Sequence, residues 1–275
     1  MNYADEIAEW RANRLKKLIA GDGWVTLVGL FWLKPEENRF GSAVDNQIVM
    51  DYPALPGHVG TFFLAGGKVS FESAPDAAVM HAGEPVTRLV MKTDAKGDPT
   101  VLTLGTLNFH VIERGELFGI RVKDSNADAR LRFKGLDYFD ADPAWRFEAQ
   151  FETCSPMKKV TIMNVLGMEE EMDSPGAVVF ERNGKSYRLD TVLEPGESDY
   201  FVMFADRTNG RQTYGAGRFL YVSPPDDGKT VIDFNKAYTP PCAFSRFATC
   251  PLPPPQNRLP IDVTAGELKY EGSDH

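Results

Sequence analysis

Apolar and polar side chains alternate without interruption between residues 145 and 152, where the sequence reads WRFEAQFE. Successive side chains of a β-strand point to opposite faces, so this pattern is typical of a strand with one buried face. Asn183-Gly184 lies between two further apolar segments, and this dipeptide is the strongest short hairpin signal in the chain. Together the two patterns predict a protein built mainly from antiparallel strands.

Other short apolar segments predict further strands. Their ranges are 24–33, 46–50, 61–64, 68–71, 100–104, 107–112, 117–123, 178–182, 186–189, 200–204, 218–222 and 230–234. The first, WVTLVGLFWL, is almost uniformly apolar, which predicts a strand buried on both faces. Gly66-Gly67 provides a tight turn between two of these strands, because glycine adopts positive φ angles at little cost.

The only convincing helix is predicted at the N-terminus, where Gly21 and Gly23 end a helical pattern. Its apolar residues are Ile7, Trp10, Leu15, Leu18 and Ile19. The predicted fold class is therefore all-β, an antiparallel β-sandwich or barrel with an N-terminal helix and one or two β subdomains. The predicted domains are a helix at 1–22, a β-sandwich half at 23–123, and a second antiparallel sheet at 124–275.

Two irregular segments support this division. Residues 124–143 are polar and rich in turn-forming residues, which is typical of a crossover or linker, with a short helical turn near 127–131. Residues 240–260 are rich in proline, including the run PLPPP. Because proline cannot donate to a β-ladder, we expect this proline strap (residues 240–260) to be extended and to close the second sheet from the surface.

Composition excludes some classes of partner. The 275 residues carry a formal net charge of −9, which argues against non-specific binding to nucleic acid. No apolar run approaches the roughly 18 residues that span a bilayer, and no secretory signal is visible. Three cysteines are too few for a disulfide framework. We therefore expect a soluble cytoplasmic protein with no membrane or nucleic-acid partner, and its oligomeric state stays open.

Several segments together resemble a known family. WVTLVGLFWL, DFNKAYTPPCAF and CPLPPPQNRLP are similar to an uncharacterised bacterial family catalogued only as a domain of unknown function. That resemblance implies no activity.

Residues 40–72 also resemble, in part, a forkhead-associated domain, a β-sandwich that binds phosphothreonine. Five residues match its pattern: Gly41, Asn46, Ile48, Met50 and His58. Ser42 stands where that family has its phosphate-binding arginine, and Leu55 stands where it has a serine. The resemblance implies a sandwich near residues 24–113. The two replacements disfavour phosphopeptide binding, because the phosphate loses its main partners.

Residues 206–246 contain the densest set of polar side chains that could bind a ligand or take part in catalysis. Asp233 and Asn235 are predicted to share one strand face, and with Tyr238 they could hydrogen-bond a polar ligand. The structural alternative is that Asp233 pairs with an arginine such as Arg218. On segment 117–123, Gly119 lies beside Arg121, which leaves room for a ligand, although a solvated strand face explains the same pattern.

The leading functional hypothesis is binding of a small, polar, anionic molecule. It gives binding roles to Arg121, Arg218, Asn235 and Asp206, with the two arginines able to clamp a carboxylate or phosphate. The first alternative is a hydrolase with Asp233 as general base, assisted by Tyr214 or Tyr238 and an arginine. The second alternative is a protein–protein module on the forkhead-like half.

Standard catalytic and metal motifs are absent from the sequence. It contains no nucleophile elbow, phosphate-binding loop, dinucleotide-binding motif or His-Glu-x-x-His. Cys242 and Cys250 have no second pair and no nearby histidine, so we expect no zinc site and no cofactor. Cys242 would need a base or cation, such as Arg246 or His110, to act as a nucleophile. We expect it to be packed instead.

Overall fold

The computed structural model describes residues 2–53 and 55–272. It divides the chain into two compact units. The continuous unit is Ile19–Arg132, and the split unit combines Met1–Leu18 with Phe133–His275. Both consist mainly of antiparallel strands, as the alternation of side chains predicts, so the predicted all-β class with an N-terminal helix is confirmed.

The elements, in chain order, are α1 (Tyr3–Leu18), β1 (Leu27–Trp32), β2 (Glu36–Gly41), β3 (Ile48–Val49), β4 (Gly60–Ala65), β5 (Lys68–Ser73), β6 (Met80–His81), β7 (Glu84–Pro85), β8 (Arg88–Met91), β9 (Leu102–Leu104), β10 (Leu107–Arg114), β11 (Leu117–Asp124), α2 (Asp128–Leu131), β12 (Arg146–Met163), β13 (Glu169–Arg182), β14 (Lys185–Thr191), β15 (Tyr200–Phe204), β16 (Arg218–Val222) and β17 (Lys229–Asp233). Short 3₁₀ turns lie between them, at Trp24–Thr26, Asp94–Lys96, Pro143–Trp145, Phe234–Lys236, Pro241–Ala243 and Pro255–Asn257.

Two sheets share one core in the continuous unit. One has the strand order β3-β2-β4-β5-β8, and the other has β1-β11-β10-β9-β6-β7. The core contains four fully buried phenylalanines whose ring centroids lie 4.8–6.1 Å apart in successive pairs: Phe40, Phe62, Phe71 and Phe109. Their large apolar area makes this core a strong source of stability.

In the split unit, a four-stranded sheet of order β14-β13-β12-β17 and the β15–β16 hairpin share a second core. Phe234 is fully buried at its centre, and its ring contacts those of Trp145, Phe180 and Phe204 at 5.3–6.0 Å between centroids. Helix α1 belongs to this unit and buries Ile7 and Leu18. Leu259, in the proline strap, also lies in this core.

Both predicted hairpin turns are confirmed. Gly66-Gly67 joins β4 to β5 with φ angles of 56° and 70°. Asn183-Gly184 joins β13 to β14 with φ angles of 52° and 70°. Positive φ at both central residues matches the right-handed twist of the flanking strands, which is why these dipeptides are informative.

Short 3₁₀ turns change the predicted structure at three places. The first strand begins only at Leu27, because Trp24–Thr26 forms a 3₁₀ turn in which the Thr26 hydroxyl donates to the Gly23 carbonyl at 2.6 Å. Strand β17 ends at Asp233, because the Asp233 carboxylate accepts the backbone N–H of Asn235 and so starts another 3₁₀ turn. The proline strap contains two such turns, since proline fits a first helical turn without losing a hydrogen bond.

The first part of the segment that resembles a forkhead-associated domain forms a tightly packed loop before β4. The Asn46 amide donates to the carbonyls of Ala43 and Gly57 at 2.8 and 2.7 Å, and its oxygen lies 3.0 Å from His58 Nδ1. A Cβ atom on Gly41 would lie 2.2 Å from the Gly57 carbonyl oxygen. His58 therefore stabilises the loop.

Every helix within residues 2–53 and 55–272 is too short or too polar to span a bilayer.

Candidate functional site

Two of the predicted residues pair with each other in the core of the split unit. Arg218 on β16 and Asp206 just after β15 form an ion pair, with Nη2 and Oδ2 2.8 Å apart and both side chains fully buried. Arg218 also donates to the carbonyls of Val263, at 2.9 Å, and Ala265. The Asp206–Arg218 pair thus attaches the segment that follows the proline strap to the β15–β16 hairpin.

The remaining oxygen of Asp206 organises the loop between β15 and β16. Asp206 Oδ1 accepts the Thr208 backbone N–H at 2.8 Å and the Thr208 hydroxyl at 2.6 Å. The same hydroxyl lies 2.8 Å from that of Thr213. Because every one of these groups is buried, the hydrogen bonds compensate their loss of water.

Asp233 and Asn235 form a second group, where helix α1 packs against the rest of the split unit. The Tyr3 hydroxyl lies 3.0 and 3.1 Å from the two Asp233 oxygens, and Arg146 Nη1 lies 3.1 Å from Oδ2. Asn235 is fully buried and donates to the Tyr3 hydroxyl at 2.7 Å. Asp233 therefore pairs with an arginine, as the structural alternative predicts, but that arginine is Arg146 and not Arg218.

Tyr238 belongs to a third group, rich in aromatic rings. Its ring stacks on that of Tyr221 at 6.3 Å, and the Arg14 guanidinium lies 4.7 Å above it. The Tyr221 hydroxyl donates to Glu194 Oε2 at 2.5 Å. Burial raises the pKa of both tyrosine hydroxyls, so both remain protonated donors at neutral pH.

Tyr214 lies in a fourth group with two cysteines of the proline strap. Burial, followed by the interaction with the Cys242 thiol, raises the pKa of the Tyr214 hydroxyl, and the Cys250 thiol acts in the same direction. The backbone N–H of Cys242 lies 3.1 Å from Cys250 Sγ. None of the three cysteines forms a disulfide. Cys242 is half-buried and lies against a second thiol.

Arg121 is the one predicted site residue that belongs to the continuous unit. It lies on β11 directly opposite His110 on β10, and Lys123 lies two residues further along β11, on the same face. The Trp24 ring covers both cations, with its centroid 5.0 Å from Arg121 Cζ and 5.5 Å from Lys123 Nζ. We call His110, Arg121 and Lys123, with Trp24, the basic cluster.

Burial and mutual repulsion shape the electrostatics of the basic cluster. Arg121 is 4% exposed and His110 is 7% exposed. Desolvation, followed by the charges of Arg121 and Lys123, lowers the pKa of His110 from 6.5 to about 4. Desolvation and the charge of Arg121 also lower the pKa of Lys123, whose ammonium donates to the Asp22 carbonyl at 2.5 Å. Positive charge is thus concentrated at one place on the sheet.

The space expected beside Gly119 is filled. A Cβ atom on Gly119 would lie 3.0 Å from the Trp32 ring and 3.2 Å from Leu30 Cδ1. Side chains of β1 therefore occupy the gap that was expected to admit a ligand. Access to the basic cluster instead lies on the side of Lys123 and Trp24, which are both half-buried.

Among the residues that the structure describes, no group of three or more histidine, cysteine, aspartate or glutamate side chains is placed to hold a metal ion. The Asp124 carboxylate accepts the Tyr52 hydroxyl at 2.5 Å.

A family comparison covers the part of the chain that contains six of the seven predicted site residues. The sequence model of a family described as proteins of unknown function, DUF1684, matches residues 131–268, which is half of the chain. The chain belongs to the DUF1684 family. The predicted resemblance to a family of unknown function is confirmed, whereas its bacterial origin stays a prediction.

The DUF1684 protein is also similar to a solved structure. That structure is the solution NMR structure of an uncharacterized protein from Haloarcula marismortui, which is 33% identical, with a TM-score of 0.44. The match covers 52% of this chain and 81% of that chain. A search of the curated proteins found no match.

Sequence reasoning missed two features of the DUF1684 protein. His110 was not placed beside Arg121, although the turn signal at Arg114-Gly115 allows the register of the hairpin to be counted back to that pair. The contact between Cys242 and Cys250 was also missed. It lies in irregular backbone, where no periodic pattern relates one side chain to another.

Proposed function

We propose that this DUF1684 protein binds a small anionic molecule, with carboxylate or phosphate oxygens, at the basic cluster of its continuous unit. The observation that carries the proposal is the arrangement of His110, Arg121 and Lys123 on one face of β10 and β11, under the Trp24 ring. Arg121 provides the planar donor fork that suits such oxygens. Lys123 adds a second cation on the half-buried side.

Energetics favour an anion at this place. A buried charge loses its hydration, and that loss is repaid only by an opposite charge or by good hydrogen bonds. After desolvation, the largest contributions to the lowered pKa values of Lys123 and His110 come from the charges of neighbouring cations. An anion would reverse the sign of those effects and relieve the repulsion, so its binding would be stronger than at an isolated surface lysine.

Contacts in the split unit support structural roles for three of the predicted residues. Arg218 and Asp206 neutralise each other without exposure, and Asp233 is held by Tyr3 and Arg146. An incoming ligand would have to break these pairs before it could bind. We therefore assign ligand binding to Arg121 before the other predicted residues.

The test uses His110 as an internal reporter. Its imidazole resonances are followed by NMR across a pH titration, with phosphate or acetate replacing chloride at constant ionic strength. A bound anion stabilises the imidazolium, so the pKa of His110 should rise from about 4 towards its ordinary value of 6.5. Calorimetric titration with phosphate gives the affinity directly.

Arg121→Gln is the critical variant, and Arg88→Gln is its matched control, because Arg88 is exposed on β8 of the same unit. Loss of a charge-assisted contact should weaken phosphate binding by about 10-fold or more in Arg121→Gln and leave Arg88→Gln unchanged. If the His110 titration of the wild-type protein is the same in phosphate, acetate and chloride, the proposal is wrong.

A further inference from the structure

Three reactive side chains meet where the proline strap passes the β15–β16 loop. They are Tyr214, Cys242 and Cys250, which we call the dithiol cluster. Cys250 Sγ accepts the backbone N–H of Cys242, with 3.1 Å between nitrogen and sulfur, and the Cys250 thiol is close enough to lower the pKa of Cys242. Seven residues separate the cysteines along the chain, so the strap must fold back to bring them together.

The two thiols differ in accessibility. Cys242 is half-buried at a 3₁₀ turn, whereas Cys250 is 5% exposed. A molecule approaching from solvent therefore meets Cys242 first. This asymmetry suits an attacking thiol and a protected second thiol that resolves the product.

The surroundings of Cys242 favour its thiolate. Hydrogen bonds from the Cys250 thiol and the Tyr214 hydroxyl lower the pKa of Cys242, against the opposing effect of burial. Burial raises the pKa of Tyr214, so its hydroxyl stays protonated and can donate. Since the thiolate is the reactive form of cysteine, these contacts prepare Cys242 for nucleophilic attack.

We propose that Cys242 and Cys250 form a thiol–disulfide exchange site that reduces low-molecular-weight disulfides. The Cys242 thiolate attacks one sulfur of the substrate, the substrate S–S bond breaks, and the first thiol leaves with a proton from solvent. The Cys250 thiol then gives up its proton and attacks the Cys242 sulfur, which releases the second thiol. In total, one substrate disulfide becomes two thiols, and two protein thiols become one disulfide.

Tyr214 acts as a positioning residue in this scheme. Its hydroxyl holds the Cys242 sulfur and stabilises the charge that the sulfur carries before attack. The main chain at Cys250 is also fixed, because its carbonyl accepts the backbone N–H of Val165 at 3.0 Å from the turn between β12 and β13. The resolving thiol is thus held by a second element of the split unit.

The test incubates the reduced, folded, full-length protein with glutathione disulfide and follows it by intact mass and peptide mapping. The wild-type protein should release two glutathione molecules and form a Cys242–Cys250 disulfide. Cys250→Ala should stop at a mixed disulfide between glutathione and Cys242. Cys242→Ser should form neither product at this site, and Cys154→Ser, the matched control for the third thiol, should behave as the wild type does.

Absence of the internal disulfide in wild-type protein would overturn the proposal, as would a mixed disulfide found mainly on Cys154. Circular dichroism checks that each variant is folded, and Cys250→Ser replaces Cys250→Ala if the latter is not. Tyr214→Phe provides a separate readout. The pH midpoint for alkylation of Cys242 should rise by about one unit, and an unchanged midpoint would remove Tyr214 from the site.

Discussion

Arg218 places a guanidinium in the core of the split unit with none of its side chain exposed. Burial lowers the pKa of this group, and the charge of Asp206, together with its hydrogen bond, acts in the opposite direction. Four of the partners of the pair are backbone groups: the N–H of Thr208, the N–H and the carbonyl of Val263, and the carbonyl of Ala265. Such a pair gives a definite geometry to the chain segments it joins, at a large cost if either member is lost.

Removal of the arginine tests this role. Arg218→Met keeps much of the side-chain volume but leaves Asp206 buried without its counter-ion, so the free energy of unfolding should fall by about 3–5 kcal/mol. Arg211→Met removes an exposed pair with Asp262 and should cost less than about 1 kcal/mol. Urea unfolding of both variants measures the difference, and equal losses would contradict the assignment.

His110 predicts a specific dependence of stability on pH. Its pKa is about 4 in the folded protein and 6.5 ordinarily, so between these values the unfolded chain binds a proton that the folded chain does not. This residue therefore costs no stability above about pH 6.5. As the pH falls from about 6.5 to about 4, protonation of His110 in the unfolded chain lowers the free energy of unfolding by up to about 3 kcal/mol. His110→Gln should flatten the stability profile over that range, and an identical slope in the variant would refute the prediction.

At the scale of elements, the proline strap packs closely against Gly217, the residue that directly precedes β16. Gly217 has φ of 110°, and a Cβ atom there would lie 2.5 Å from Pro253 Cγ and 2.7 Å from the Phe204 carbonyl oxygen. Only glycine combines this backbone conformation with so close an approach. The strap and the β15–β16 hairpin are therefore packed with no spare volume at this point.

Two glycines in the same loop offer a matched pair of substitutions. Gly217→Ala should lower the free energy of unfolding by about 2–4 kcal/mol, through strain and overlap with the strap. Gly215→Ala meets its nearest atom, Gly210 Cα, at 3.8 Å and should change stability by about 0.5 kcal/mol or less. Thermal and urea unfolding give both values, and a tolerated alanine at 217 would show that the strap does not pack as described.

The elements that could be predicted are those with one buried face, because apolar and polar residues alternate along their sequence. Alternation in residues 145–152 identifies a strand, but β12 continues to Met163 and pairs with β13 as far as Glu169. That extension carries Lys159 opposite Asp173, with 2.8 Å between their charged atoms, and both are exposed. A strand exposed on both faces has no apolar alternation to reveal it.

The same limit applies to the candidate sites. His110 could be placed beside Arg121 by counting register from the hairpin turn, because pairing in a hairpin is local. The contact of Tyr3 with Asp233 could not be predicted, because 230 residues separate them. It depends on where helix α1 docks, which no local pattern specifies.

At the scale of the whole molecule, the continuous unit is complete in itself. Its two sheets share a core of their own. Its two ends also meet, since Arg130 Nε donates to the Ile19 carbonyl at 2.8 Å. A chain segment with a private core and adjacent ends has the usual properties of an inserted domain.

The fragment Ile19–Arg132 should therefore fold when it is expressed alone. Dispersed amide resonances and a cooperative thermal transition are the expected results, because the buried phenylalanines all come from within the fragment. A fragment with Phe40→Ala serves as the control, and it should lose about 3–5 kcal/mol. A wild-type fragment without amide dispersion would show that its core does not suffice.

The insertion also determines the order of events on the ribosome. Helix α1 is synthesised before the continuous unit. Glu267, the ion-pair partner of Arg14 in this helix, is added to the chain 253 residues after Arg14. At about 5–20 residues per second, the helix spends more than ten seconds without that partner. The continuous unit emerges entirely within this interval and can fold before the helix docks. The inserted domain can therefore fold during translation. The split unit can complete its fold only after the proline strap and Glu267 have left the exit tunnel.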